Sequence, residues 1–140
     1  MSYENSKNLD FPIEKFLKKV NLILKKEKKF KKILLKHNLP LVFITKPNLM
    51  RQMEKKLLHK DKEADILSFK WPKDFPYENS KKNPLGEIYL NKKILKNKER
   101  TKYLLVHGFL HLLGFTHFKK NDSIIMEKKE KEILSRLSKF

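Results

Sequence analysis

The stretch His107-Gly108-Phe109-Leu110-His111-Leu112-Leu113-Gly114-Phe115-Thr116-His117 constrains this 140-residue chain more than any other. With Tyr103, Leu104, Leu105 and Val106 ahead of it, it reads as a helix that is apolar nearly all round, and such a helix belongs in a core. Any fold must therefore wrap around this segment and also satisfy the imidazoles embedded in it. His107 and His111 lie one above the other on a single helix face, because the helix repeats every ~3.6 residues. Gly114 can end the helix in the left-handed conformation that glycine enters cheaply, so the chain can turn and swing His117 back. Buried imidazoles need partners, and a metal ion supplies one. Three neutral imidazoles with one open position describe a catalytic zinc site, one ion per chain, held by His107, His111 and His117.

The spacing H-x-x-x-H-x-x-G-x-x-H is also that of the metzincin peptidases, with one large difference. Their glutamate beside the first histidine is absent, and Gly108 stands in its place. A degenerate peptidase is disfavoured because its general base is missing. Gly108 has two readings of equal standing. It leaves volume beside the metal for a bulky ribose-phosphate, or it permits close packing of helix on sheet.

Composition bounds the alternatives. The length suits a single domain over residues 1–140. There are no cysteines, which excludes disulfides and thiolate metal ligands. No apolar run approaches the ~20 residues of a membrane span, and Met1–Asp10 is too polar for a signal peptide, so a cytoplasmic protein with no membrane partner is expected. The 34 basic and 16 acidic residues give a net charge of +18, which attracts polyanions. The excess is nearly all lysine, with only Arg51, Arg100 and Arg136, so charge alone does not separate RNA binding from an AT-rich coding bias.

The remaining elements follow from periodicity. Phe11 to Phe30 reads as a helix with the stripe Phe16, Leu17, Val20, Ile23 and Leu24, capped by Asp10, and a short helical piece follows over Lys31 to Lys36. Leu39 to Thr45 reads as a strand, Pro47 to Leu58 as a helix and Ile66 to Trp71 as a second strand. A proline-rich loop covers Pro72 to Asn83. Leu85 to Asn91 is a third strand, with Ile88 and Leu90 alternating against Glu87 and Tyr89, and a short helix spans Lys92 to Lys96. Glu99 to Leu113 is the histidine helix. Asp122 caps a last helix through Leu137, with Ile125, Met126, Ile133, Leu134 and Leu137 facing inward. The expected architecture is α+β: a small mixed sheet of three to four strands flanked by helices, with the three-histidine site at the end of a buried helix.

Four segments in order resemble the YbeY family of bacterial ribosomal-RNA maturation factors, over roughly Leu39 to Leu137. They are His107-Gly108-x-Leu110-His111-Leu112-x-Gly114-x-x-His117, Asp65-Ile66-Leu67-Ser68-Phe69, Leu85-Gly86-Glu87-Ile88, and Met126 with Glu130 and Ile133-Leu134. The resemblance implies a four-stranded mixed sheet, a three-histidine zinc site and metal-dependent endonuclease action on single-stranded RNA. It further implies a role in small-subunit ribosomal RNA processing and ribosome quality control, with the ribosome as partner. Three departures stand out. Thr116 replaces the family's aspartate before the third histidine. Leu58 falls where a functional arginine is usual, eight residues before Ile66. Met1–Asp10 does not read as the family's N-terminal strand.

No side chain is identified as the catalytic group, and water on the zinc is the expected activated species. His59, Lys60, Lys56 or Arg51 are candidates to replace the arginine. Lys56, Lys60 and Ser68 are candidate RNA contacts. Asp65 and Ser68, three apart, point to opposite sides of a regular strand, so Asp65 is read as a hydrogen-bonding residue at the strand start. The runner-up function is a non-catalytic RNA- or ribosome-binding protein with a structural zinc, a reading that Leu58 favours.

Overall fold

The computed structural model describes residues 3–5, 11–77 and 81–140. Four strands form one mixed sheet in the order β1-β2-β4-β3. β2 (Leu41–Thr45) runs parallel to β4 (Gly86–Asn91), and β3 (Ile66–Lys70) pairs antiparallel on the outer side of β4. The other edge is β1 (Tyr3–Asn5), antiparallel to β2 in the register Tyr3↔Thr45. This corrects the expectation that the N-terminal segment forms no strand. Three residues are too few for an alternation to be read in the sequence, and pairing to β2 defines the element.

Five helices accompany the sheet: α1 (Ile13–Lys25), α2 (Lys28–Lys36), α3 (Pro47–Leu58), α4 (Lys98–Leu112) and α5 (Lys120–Arg136). The single helix expected over Phe11 to Phe30 is two helices. Lys26 closes α1 by donating its N–H to the Ile23 carbonyl, and Glu27 is extended (φ −92°, ψ 125°). Beyond the break Phe30 and Leu34 belong to the same core as the α1 stripe, and Phe30 packs on Phe115 with ring centroids 5.7 Å apart. Asp10, the expected cap, lies outside the described residues, and Pro12 occupies the N-cap position of α1.

The sheet divides the interior in two. Ile44, Ile88 and Leu90 face α1, α4 and α5 across the main core, which includes Phe16, Val20, Leu105, Phe109, Met126 and Ile133. Leu67, Phe69 and Tyr89 face the other way and pack on Met50 and Met53 of α3. The α4 helix is therefore central, as its sequence demands, while α3 lies on the opposite side of the sheet. Asn97 caps α4 by accepting the Arg100 N–H at 3.0 Å. The 3₁₀ turn Lys92–Lys96 leads into it. α5 begins at Lys120, so Asp122 sits in the first turn rather than capping it, and Ile125, expected inside, is 56% exposed. Met126 and Ile133 face inward as expected, and Glu130 is buried with them. Among the described residues no helix is long and apolar enough to cross a membrane.

Candidate metal centre

The three histidines converge at the C-terminal end of α4. One ring nitrogen from each of His107, His111 and His117 lies within 4.8 Å of the others. The chain gets there as the glycine requires. Gly114 has φ +103°, its N–H reaches the His111 carbonyl at 3.0 Å, and Phe115 N–H reaches the Leu110 carbonyl at 3.1 Å. That closing turn carries His117 back beside the helix, its ring centroid 5.6 Å from His107 and 4.9 Å from His111. His107 and His111 are half-buried and His117 is exposed, so the cluster opens to solvent on the His117 side.

Two outer contacts fix the ring orientations. His107 Nδ1 lies 2.5 Å from Oε2 of Glu130, and His111 Nδ1 lies 2.9 Å from the Phe115 carbonyl oxygen. Both neighbours offer acceptor oxygens, so in the neutral rings each Nδ1 carries the hydrogen and each Nε2 is a bare lone pair. Those two Nε2 atoms face each other at 3.0 Å. Two acceptors held at that separation repel unless a cation lies between them. Around a tetrahedral zinc with bonds of 2.0–2.1 Å, ligand nitrogens stand roughly 3.3 Å apart. The donor set thus fits a metal ion by chemistry, spacing and orientation.

Burial pushes the His111 pKa down from its usual value, and the His107 and His117 rings add to the shift, against the opposing Phe115 carbonyl and Glu130. A histidine held neutral is a histidine ready to ligate. Tyr103, one turn before His107, has its ring centroid 5.7 Å from that imidazole, and burial pushes its phenol pKa up, Glu130 adding to the effect.

Glu130 is the residue at the candidate site to which sequence reasoning assigned no role. It is buried (2% exposed) in a helix otherwise rich in lysine. Its position one turn after buried Met126 and one before Ile133 is the signal that places it inward.

Gly108 also resolves. A Cβ there would meet Ile66 Cδ1 at 2.9 Å and Ile88 Cδ1 at 3.3 Å. Gly108 faces the sheet, so close packing, not open volume beside the metal, explains the glycine. Gly86 repeats the theme, since its Cβ would run into the Phe69 carbonyl and Leu112.

The candidate RNA contacts fall on both sides of the sheet. Ser68 is half-buried and shares its strand face with Ile66, so it lies on the α4 side. Asp65 accepts a hydrogen bond from Arg100 at 3.2 Å, and its carbonyl accepts the Asn91 N–H at 2.9 Å, in line with a strand-start role. Lys56, His59, Lys60 and Arg51 belong to α3 and its exit, across the sheet from α4. Arg51 pairs with Asp61 at 2.9 Å, and His59 takes the left-handed cap at φ 58°. Leu58 is 46% exposed and not a core residue. Arg100 has the opposite placement. With Tyr103, His107 and His111 it shares one face of α4, roughly 10 Å along the axis from His107.

The family model described as "Endoribonuclease YbeY" matches residues 2–138. A protein of that name from Buchnera aphidicola is 36% identical over 143 residues, covering 91% of this chain and 88% of the relative. Another from Pelagibacter ubique is 38% identical over 112 residues, covering 74% and 71%. A third, from a Wolbachia of Drosophila simulans, is 37% identical over 100 residues, where the match spans 64% of this chain and 63% of that protein's length, just under two thirds.

Proposed function

This chain belongs to the YbeY family, and on that footing we propose that it is a zinc-dependent, single-strand-specific endoribonuclease acting in the maturation and quality control of small-subunit ribosomal RNA. The observation that supports this reading best is the pair of facing Nε2 lone pairs of His107 and His111, with His117 completing the cluster. A zinc ion held there supplies Lewis-acid polarisation of a phosphoryl oxygen and acidifies water to a pKa of ~7.

The chain's own residues set the rest. Glu130 and the Phe115 carbonyl hold two imidazoles with Nε2 inward, so two of the three ligands would already be aimed when the site is filled. The exposed His117 side is the approach for substrate. RNA brings its own 2′-hydroxyl, so the absence of a peptidase-type glutamate at Gly108 does not block phosphodiester cleavage as it blocks peptide hydrolysis. Charge on the phosphate requires a cation, and Arg100 is the arginine on the histidine face. One of its nitrogens engages Asp65, which orients the guanidinium fork. Ser68 lies on the same side of the sheet. Lys56 and Lys60 contact RNA only where the strand passes round the β3 edge. The lysine excess concentrates RNA and the ribosome by long-range attraction. A cytoplasmic location accompanies that role.

A non-catalytic, ribosome-binding protein with a structural zinc is the second reading, favoured by an exposed Leu58 where an arginine is usual. One assay separates them. Zinc-loaded protein is incubated with labelled single-stranded RNA, duplex RNA and casein. Cleavage of the single strand alone is expected, with Arg100→Gln slower by about 10²–10³ and Leu58→Arg little changed, since α3 lies across the sheet from the histidines. Intact RNA in every lane, with zinc and RNA both bound, favours the structural reading.

A further inference from the structure

Phe118 is 89% exposed, the highest value among the described large apolar side chains. It is also the residue directly after the third histidine, with its ring centroid 6.0 Å from that of His117 and the two planes inclined at 50°. A phenylalanine ring in water is unfavourable, and nothing in the fold uses this one. Lys119 and Lys120 follow it, both exposed. Ile124, in the next turn of α5, is 53% exposed. The exposed side of the histidine cluster is therefore followed directly in the chain by an exposed aromatic ring and two exposed lysines.

We propose that Phe118 is a base-stacking residue, and that the nucleobase next to the phosphate at the histidine cluster lies on its ring while Lys119 and Lys120 meet the adjoining phosphates. This rests on the RNA-cleaving reading above and adds the contact that selects a single strand. A base inside a duplex has both faces covered by its neighbours and cannot lie on a side chain, whereas an unpaired base can. Stacking is tolerant of base identity, because every base offers a π-face, so Phe118 imposes strand state rather than sequence. The chemistry favours RNA over a protein partner, because two lysines follow the ring and it adjoins a histidine cluster that could hold a cation, both attractive to phosphate.

The test uses the full chain, zinc-loaded, and measures binding rather than turnover. Affinities for a single-stranded decamer, its duplex and an abasic decamer of the same backbone are compared for the wild type, Phe118→Ala and Phe118→Trp. Unchanged thermal midpoints establish that the variants fold, as expected for so exposed a position. Phe118→Ala weakens single-strand binding by about 5- to 100-fold and leaves abasic and duplex binding unchanged. Phe118→Trp restores single-strand binding. Equal single-strand affinity for the wild type and Phe118→Ala overturns the proposal and leaves the nuclease reading standing. Equal weakening on the abasic strand also overturns it, since the effect is then not stacking. A change in self-association without a change in RNA affinity assigns the ring to a second copy of the chain and overturns it as well. A wild type that binds no single-stranded RNA defeats the nuclease reading itself.

Discussion

Replacing Glu130 tests the support of the metal centre. The residue is 2% exposed, and its carboxylate sits 2.5 Å from His107 Nδ1. Glu130→Ala removes the side chain that, among the described residues, accepts from His107 Nδ1, and leaves a half-buried donor to find water or go unpaired. An unsatisfied buried donor costs about 1–3 kcal/mol. Loss of such an outer carboxylate typically weakens metal binding 10- to 100-fold, about 1.4–2.8 kcal/mol, and the two routes agree in size. Glu130→Gln keeps the shape and one accepting oxygen, so its loss is smaller. Competition against a chromogenic zinc chelator gives the affinities, and thermal midpoints in excess zinc show whether each variant is folded. An alanine variant that binds zinc within twofold of the wild type refutes the reasoning, because His107 would then need no orienting partner.

Further outcomes follow from the same geometry. The His111 pKa is depressed by burial, so the folded state binds fewer protons than the unfolded one; its contribution to metal-free stability is present above the unfolded value near ~6.5 and is lost as pH falls through the folded value, and zinc affinity falls in the same direction. Thermal midpoints of chelated protein against pH check this, and His111→Gln should flatten that part of the curve. Gly86→Ala should cost more than Gly108→Ala in urea titrations, because a Cβ at 86 meets the Phe69 backbone carbonyl, whereas at 108 it meets the mobile end of Ile66. Single-stranded RNA affinity should drop steeply between low and physiological salt, and a flat dependence would make the +18 charge a compositional accident.

The histidine cluster was legible because helical periodicity, a chain-reversing glycine and imidazole chemistry are all local facts. The spans of α3 and α4 were legible for related reasons, with Pro47 opening one and the apolar run defining the other. What escaped depends on neighbours distant in sequence. Glu130 sits among lysines and reads as a solvated charge until α5 is laid against α4. Gly108 carries two meanings until Ile66 and Ile88 are placed beneath it. Arg100 reads as one more surface cation until Asp65 and the histidine face are located around it. The break between α1 and α2 escaped because helix propensity runs straight through Lys25 to Lys28 and no glycine or proline marks it.

The central claim is that the histidine cluster is both the metal centre and the centre of RNA cleavage. The most direct measurement titrates zinc into chelated protein while following cleavage of a labelled single-stranded RNA. The account predicts that cleavage rises with bound zinc, saturates at one equivalent per chain, and is absent from His111→Ala at every zinc level. Full cleavage by the chelated protein, or by His111→Ala, would contradict it.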